Sequence, residues 1–286
     1  MQVVGYDVGP SNRFAAQSDG DATAADGDGG ASGRDGTATD SDVTAAGGFY
    51  VAVDGEVEYV DASPGTALSF GLGERHCAGT VHDGAHIACD DPDAPYCEAH
   101  TDVWVCARCR GTCLKDEMDC QQSHAMYLAA FAPDVFKVGV TRERRLETRL
   151  REQGADRAAH VRTFPDGRIA REVEAELADR DGLVDRVRVP TKVAGLARSV
   201  DDAAWMALLD RFDPIETFAF DAGLDLAERP VSETMAVGEV RGWKGRVIVL
   251  DRGGSSYAVD ARDLVGYELV DEPADRELQS SLGAFG

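Results

Sequence analysis

Residues 2–8 (QVVGYDV) alternate apolar and polar side chains at period two, the spacing of a strand with one buried face. The alternation returns from Phe49 in FYVAVDG, EVEYVDA and ALSFGLG, separated by Gly, Asp and Pro turns, and predicts a small antiparallel sheet or partial barrel. Between them, residues 11–48 hold almost only Ala, Asp, Gly, Ser and Thr. That composition offers too little apolar surface to offset the entropy of ordering, so a disordered insertion is expected there.

The pattern changes at residue 125. AMYLAAFA (125–132) and VFKVGVT (135–141) read as two apolar strands joined through Pro133-Asp134 as a hairpin. A helix follows from about Arg142 to Gln153, with Leu146 and Leu150 one turn apart and Gly154 as its stop. HVRTF (160–164) makes a third strand, and Ile169, Val173 and Leu177 mark a second amphipathic helix. Ser199-x-x-Asp202 reads as a capping box opening a helix through Arg211, with Trp205, Leu208 and Leu209 on its core face. From Val237 to Val270 the chain alternates like three strands with a Gly253-Gly254 turn, a small barrel segment that pairs with the N-terminal sheet. Trp243 and Lys244 sit in a tight turn between Gly242 and Gly245, where a packed indole is favoured over a nucleic-acid contact.

The fold class is therefore α+β. The expected divisions are a β-rich segment at 1–75 containing the insertion, a zinc-binding module at 76–124, an α+β module at 125–212, a small β segment at 213–270 and an acidic tail at 271–286.

With 286 residues and 43% hydrophobic content, the chain can build one large or two to three small cores. Its net charge of −23 would ordinarily argue against nucleic acid. The acids are mostly Asp, however, and only four lysines (Lys115, Lys137, Lys192, Lys244) stand beside 25 arginines. Such a composition suits molar salt, as in an extreme halophile, and describes the solvent more than the partner. The N-terminus lacks the basic and apolar regions of a signal peptide, and no apolar run reaches the roughly 18 residues of a membrane span. A cytoplasmic location is expected, where clustered thiols are metal ligands rather than disulfides.

All seven cysteines fall between residues 77 and 120. Cys106-x-x-Cys109 has the spacing of a zinc knuckle, and Cys113 and Cys120 complete a four-thiolate set. Cys77, Cys89, Cys97 and His100 fit a second site, because Cys97-x-x-His100 repeats that reach with an imidazole; His76, His82 or His86 are alternatives for one member. One or two zinc ions are expected, in structural roles, since a fully ligated ion keeps no position for water.

The pair Tyr127-Leu128-Ala129 and Lys137-Val138-Gly139, followed by Thr141 and a helix carrying Arg149, resembles a diverged GIY-YIG module, a nuclease fold. More closely, RHCAG, the cysteine cluster, His124 before YLA, KVGVTR, TRLREQGADRA and GWKGRVIVLD resemble the zinc-cysteine family known as domain of unknown function 2797, over roughly residues 70–270. The nuclease resemblance implies that Tyr127 helps activate water, Arg149 stabilises the transition state, and a glutamate holds a divalent cation such as Mg2+. Glu174 fits that glutamate by its E-x-x-L context, with Glu172 the alternative on the other flank of the helix stripe. Lys137 stands where the nucleases carry their second tyrosine, which leaves endonuclease activity uncertain.

From Lys137 to Arg171 ten basic residues stand against five acidic ones, a basic island in an acidic chain. Lys137, Arg142, Arg145, Arg149 and Arg151 are the nucleic-acid-binding candidates. Arginine's bidentate fork suits phosphate recognition where salt removes most of the gain from counterion release. The sequence thus points to a zinc-containing nucleic-acid-binding protein with RNA slightly favoured. The competing readings are a zinc-organised scaffold for protein partners and a zinc enzyme using His124 or His86.

Overall fold

The computed structural model describes residues 1–8, 47–100, 121–180 and 183–271. The Cys106, Cys109, Cys113 and Cys120 set, the acidic tail beyond Asp271 and nearly all of the expected insertion lie outside the described residues. The first strands are β1 (Gln2–Asp7), β2 (Gly48–Val53), β3 (Glu56–Asp61), β4 (Ala67–Arg75), β5 (Thr80–His82) and β6 (Ala85–Ile87). Next come β7 (His124–Phe131), β8 (Val135–Arg142), α1 (Leu146–Gln153), β9 (Arg157–Phe164), α2 (Gly167–Arg180), α3 (Val189–Gly195), α4 (Asp202–Leu209) and β10 (Glu216–Ala219). The described chain closes with β11 (Val231–Ser232), β12 (Ala236–Lys244), β13 (Val247–Arg252), β14 (Ser255–Asp260), α5 (Ala261–Leu264) and β15 (Tyr267–Val270).

Both ends of the chain build the larger sheet, whose order is β11-β14-β13-β12-β4-β15-β1-β2-β3-β6-β5. The ends meet where β15 pairs with β1 and β4, and where β12 pairs with β4. The main core of this sheet includes Val3, Phe49, Val51, Leu68, Val240, Ile248 and Leu269. Trp243 keys this core: it is 1% exposed, its ring lies 5.5 Å from that of Phe49, and Nε1 donates to the Ala62 carbonyl at 2.8 Å. The expectation of a packed indole holds.

The smaller sheet runs β10-β9-β7-β8, all antiparallel. It is covered on both faces, which explains why AMYLAAF is apolar throughout rather than alternating. Met126, Leu128 and Ala130 face a core shared with Trp205, Leu208 and Leu209 of α4. Ala125, Tyr127, Ala129 and Phe131 face Leu146 and Leu150 of α1. Tyr127 pairs directly with Gly139, and a Cβ there would lie 2.4 Å from the ring, so glycine lets the phenol cross its neighbouring strand.

Several sequence boundaries need correction. The first turn expected of the helix at Arg142 is β8 followed by a 3-10 turn (Glu143–Arg145), and α1 begins at Leu146. α4 is capped by Asp201, whose carboxylate accepts from the Ala204 amide at 3.0 Å, because Ser199 lies too far upstream to reach it. α4 also ends at Leu209 rather than Arg211, and α3 has no counterpart in the sequence reading.

Two contacts join the sheets closely. Gly154 ends α1 in the left-handed region (φ 67°), and a Cβ there would lie 2.9 Å from the Gly245 amide nitrogen, so neither chain could approach with a side chain in place. Lys244 Nζ meets Asp156 Oδ1 at 2.5 Å beside that junction. α3 fills the adjoining space, packing Val193 and Leu196 against Val247, Val249 and Ala258. Trp243→Ala is expected to lower stability by about 3–5 kcal/mol, the cost of emptying a large buried aromatic site. Urea unfolding checks this, and a loss below about 1 kcal/mol would contradict a closed core around the indole.

Candidate metal centre and anion site

Cys77 follows β4 directly and is buried, with its amide on the Asp91 carbonyl at 2.8 Å. The loop after β6 brings Cys89 back, and Cys97 and His100 follow on one turn closed by the His100 amide on the Cys97 carbonyl (3.1 Å). The ligand atoms of Cys77, Cys89, Cys97 and His100 all lie within 4.8 Å of one another. His100 Nδ1 is 3.5 Å from Cys77 Sγ and 3.3 Å from Cys97 Sγ. In a tetrahedral site with metal–sulfur and metal–nitrogen bonds of about 2.3 and 2.0 Å, those edges would be about 3.5 Å, so the set can hold an ion with little adjustment. The amides of Gly79 and Cys97 point at Cys77 Sγ (3.4 and 3.3 Å), as suits a thiolate. Burial pushes the Cys97 thiol up, but hydrogen bonds from Cys77 and His100 outweigh it and bring it down to about 7.

Of the alternative ligands, His82 is exposed beside Asp83 (3.5 Å), while His76 and His86 are engaged elsewhere: His76 Nδ1 with the Cys89 carbonyl (2.9 Å) and His86 Nε2 with the Ala78 carbonyl (2.9 Å). The latter two are positioned to orient the loops that carry the thiols. His124 Nδ1 lies on the Gln122 carbonyl at 2.6 Å.

A second cluster forms on the α1 side of the smaller sheet. Tyr127 is 2% exposed, and its hydroxyl oxygen accepts from Gln153 Nε2 at 2.5 Å. The same amide nitrogen donates to the Arg149 carbonyl (3.3 Å), which fixes its orientation and leaves the phenol's own proton available. Burial raises the Tyr127 pKa, and Arg149 opposes the rise. Lys137 lies two residues before Gly139 on the same strand face, is 9% exposed, and donates to the Asp185 carbonyl at 2.5 Å. Burial brings its pKa down to about 8, with Glu174 opposing and Arg149 assisting.

Glu174 faces this cluster and Glu172 does not. The Glu174 carboxylate is 12% exposed and bound to Arg171 at 2.8 Å, whereas Glu172 is half exposed and pairs with Arg168 along the helix. Arg149 and Glu174 thus both come within electrostatic reach of Tyr127 and of Lys137. The rest of the arginine face is differently arranged: Arg145 and Arg149 share Glu152, and Arg151 pairs with Glu147 at 2.8 Å and covers the Phe220 ring. The Arg151–Glu147 pair is exposed on both sides and contributes about 0.2–1 kcal/mol, so a phosphate could displace it, whereas the Glu152 side chain that holds Arg145 and Arg149 is only 7% exposed. Arg142 is half-buried at the end of β8.

Sequence reasoning missed Gln153, Arg171 and Lys192. Lys192, on α3, donates to the Gln153 carbonyl at 2.6 Å and lies over the Phe131 ring. Only its rarity in a chain with four lysines could have flagged it.

Two outcomes are expected. Cys77→Ser should lower bound metal by one equivalent per chain and lower the melting temperature, as read by elemental analysis and thermal melts; unchanged metal would exclude the cluster as a site. Lys137 carries the second: its folded pKa of about 8 lies below the ordinary 10.5, so between these values the unfolded chain holds more protons. Stability from this group therefore rises as pH increases through that window, and the unfavourable burial is fully present below it. Thermal melts without phosphate or sulfate should show wild type gaining on Lys137→Met as pH rises, and a constant difference would contradict the shift.

Among the described residues no helix is long and apolar enough to cross a membrane. No curated protein and no solved structure matches the chain. Residues 73–214, which carry both the cysteine–histidine cluster and the Tyr127–Lys137 cluster, match the model of the family described as protein of unknown function (DUF2797), and that match supports the place in this family to which the motifs point.

Proposed function

We propose that the chain is a zinc-containing nucleic-acid-binding protein, with RNA favoured over DNA, whose GIY-YIG-like module grips phosphate at the Tyr127–Lys137–Arg149 cluster. The observation that carries this reading is the buried Lys137 ammonium. Among the described residues it has no carboxylate within ion-pair distance, and Tyr127, whose phenol keeps an available proton, lies on the same sheet face of the neighbouring strand. Burying a charge this way is unfavourable unless an anion arrives to compensate it. A phosphate oxygen would take the Lys137 ammonium and the Tyr127 proton at once, with Arg149 closing from the rim. Directed donors of this kind keep their strength where salt screens long-range attraction.

Three thiolates and one imidazole suit zinc over harder ions. At Cys77, Cys89, Cys97 and His100 it would crosslink the loops after β4 and β6, with all four positions taken by protein. We read the module as a binder rather than a nuclease. Glu174 is the carboxylate for a Mg2+ ion, but that ion would compete with Arg171, and Lys137 replaces a phenol of the nuclease pattern.

Arg149→Glu is expected to weaken retention of single-stranded RNA about tenfold or more, with zinc content unchanged, because a charge-assisted phosphate contact becomes a repulsion. Mobility shift and elemental analysis on one sample check it. Unchanged retention would favour a zinc-organised scaffold for protein partners.

A further inference from the structure

Lys192 reaches the anion site from the opposite side to Lys137. α3 is anchored by Val193 and Leu196 on strands β13 and β14 of the larger sheet, and this packing turns Lys192 toward the smaller one. Its ammonium lies 5.2 Å from the centroid of the Phe131 ring and donates to the Gln153 carbonyl. Phe131 and Tyr127 share a face of β7, and Lys137 pairs with Ala129 between them, so strand and helix each present an ammonium to one space. Neither has a carboxylate within ion-pair distance among the described residues; each is satisfied in part by a single backbone carbonyl.

The groups facing Lys192 are Arg246 and Asp260 from the larger sheet, Lys137 from β8 and Arg149 from α1. Asp260 is bound to Arg246 at 2.8 Å, so the balance at Lys192 is positive. Burial, then Arg246 and Lys137, bring its pKa down to about 8. On the outer face of α1, by contrast, Arg145, Arg149 and Arg151 already hold carboxylates.

We infer that Lys192 and Lys137 form a two-sided clamp for one phosphate group, and that a bound strand crosses the junction of the two sheets rather than running along α1. This rests on the phosphate-binding reading above and adds a residue from outside the nuclease-like elements. A backbone phosphodiester and free inorganic phosphate offer the same chemistry to such a clamp.

The test measures anisotropy of a short fluorescein-labelled single-stranded RNA and the melting shift given by inorganic phosphate, for wild type, Lys192→Met and Lys192→Arg, with metal content as a control for folding. At about pH 7, Lys192→Met should bind RNA about tenfold more weakly, and Lys192→Arg should restore binding. Wild type should lose affinity between about pH 7 and pH 9.5 as both lysines discharge, and Lys192→Arg should lose less, since its guanidinium does not titrate there. Equal RNA binding by wild type and Lys192→Met overturns the clamp and leaves the nucleic-acid reading standing. No RNA binding, with phosphate stabilising wild type but not Lys192→Met, keeps the clamp and removes the nucleic-acid reading. Response to neither ligand removes both. If Lys192→Met fails to fold, an identical pH loss in wild type and Lys192→Arg overturns the clamp.

Discussion

A buried ammonium must find a compensating charge or surrender its proton, and that constraint organises the centre of this molecule. Lys137 and Lys192 are held by the Asp185 and Gln153 carbonyls, which satisfy hydrogen bonds without cancelling charge. Both arms of the site are rigid for reasons of packing. Lys137 lies on β8, an edge strand paired with β7 along its whole length and bridged to Val184 at Lys137 itself, and Lys192 on a helix pressed against the larger sheet. The Gly154–Gly245 approach and the Lys244–Asp156 pair keep those two supports in register. Electrostatic tension at the site is thus sustained by apolar contacts around it.

The metal cluster stands in the same relation to the larger sheet. Gln2 Nε2 donates to the carbonyls of Cys77 (3.2 Å) and Gly266 (3.1 Å), so the first strand, the thiol loop and the last turn meet at one buried amide. An ion at Cys77, Cys89, Cys97 and His100 would tie down a segment whose own strands, β5 and β6, are three residues each. Folding of the loop and binding of the ion would then be a single equilibrium.

Much of this was legible in the sequence where local chemistry decides structure. The apolar run at 125–132, the turn at Pro133-Asp134 and the stop at Gly154 specify their elements without help, and Cys97-x-x-His100 carries its own geometry. The choice of Glu174 over Glu172 needed only knowledge of which helix flank faces β8. Elements that depend on distant partners were not legible. α3 is seven residues with a proline at its start, too short to show a period, and it is stabilised by residues more than fifty positions later. Lys192 was hidden with it. The arginine island carries less free charge than its count suggests, because much of it is balanced by Glu147 and Glu152 on the same helix.

With only four lysines in the chain, the central claim can be read from one spectrum. Protein labelled with 13C at the lysine ε-carbons should give four side-chain signals, assigned by single substitutions, and their titration reports each ammonium directly. The account predicts that Lys137 and Lys192 titrate near 8 in the free protein and shift upward when single-stranded RNA is added. If both remain charged to the ordinary value of about 10.4, with or without RNA, the proposed anion site does not exist.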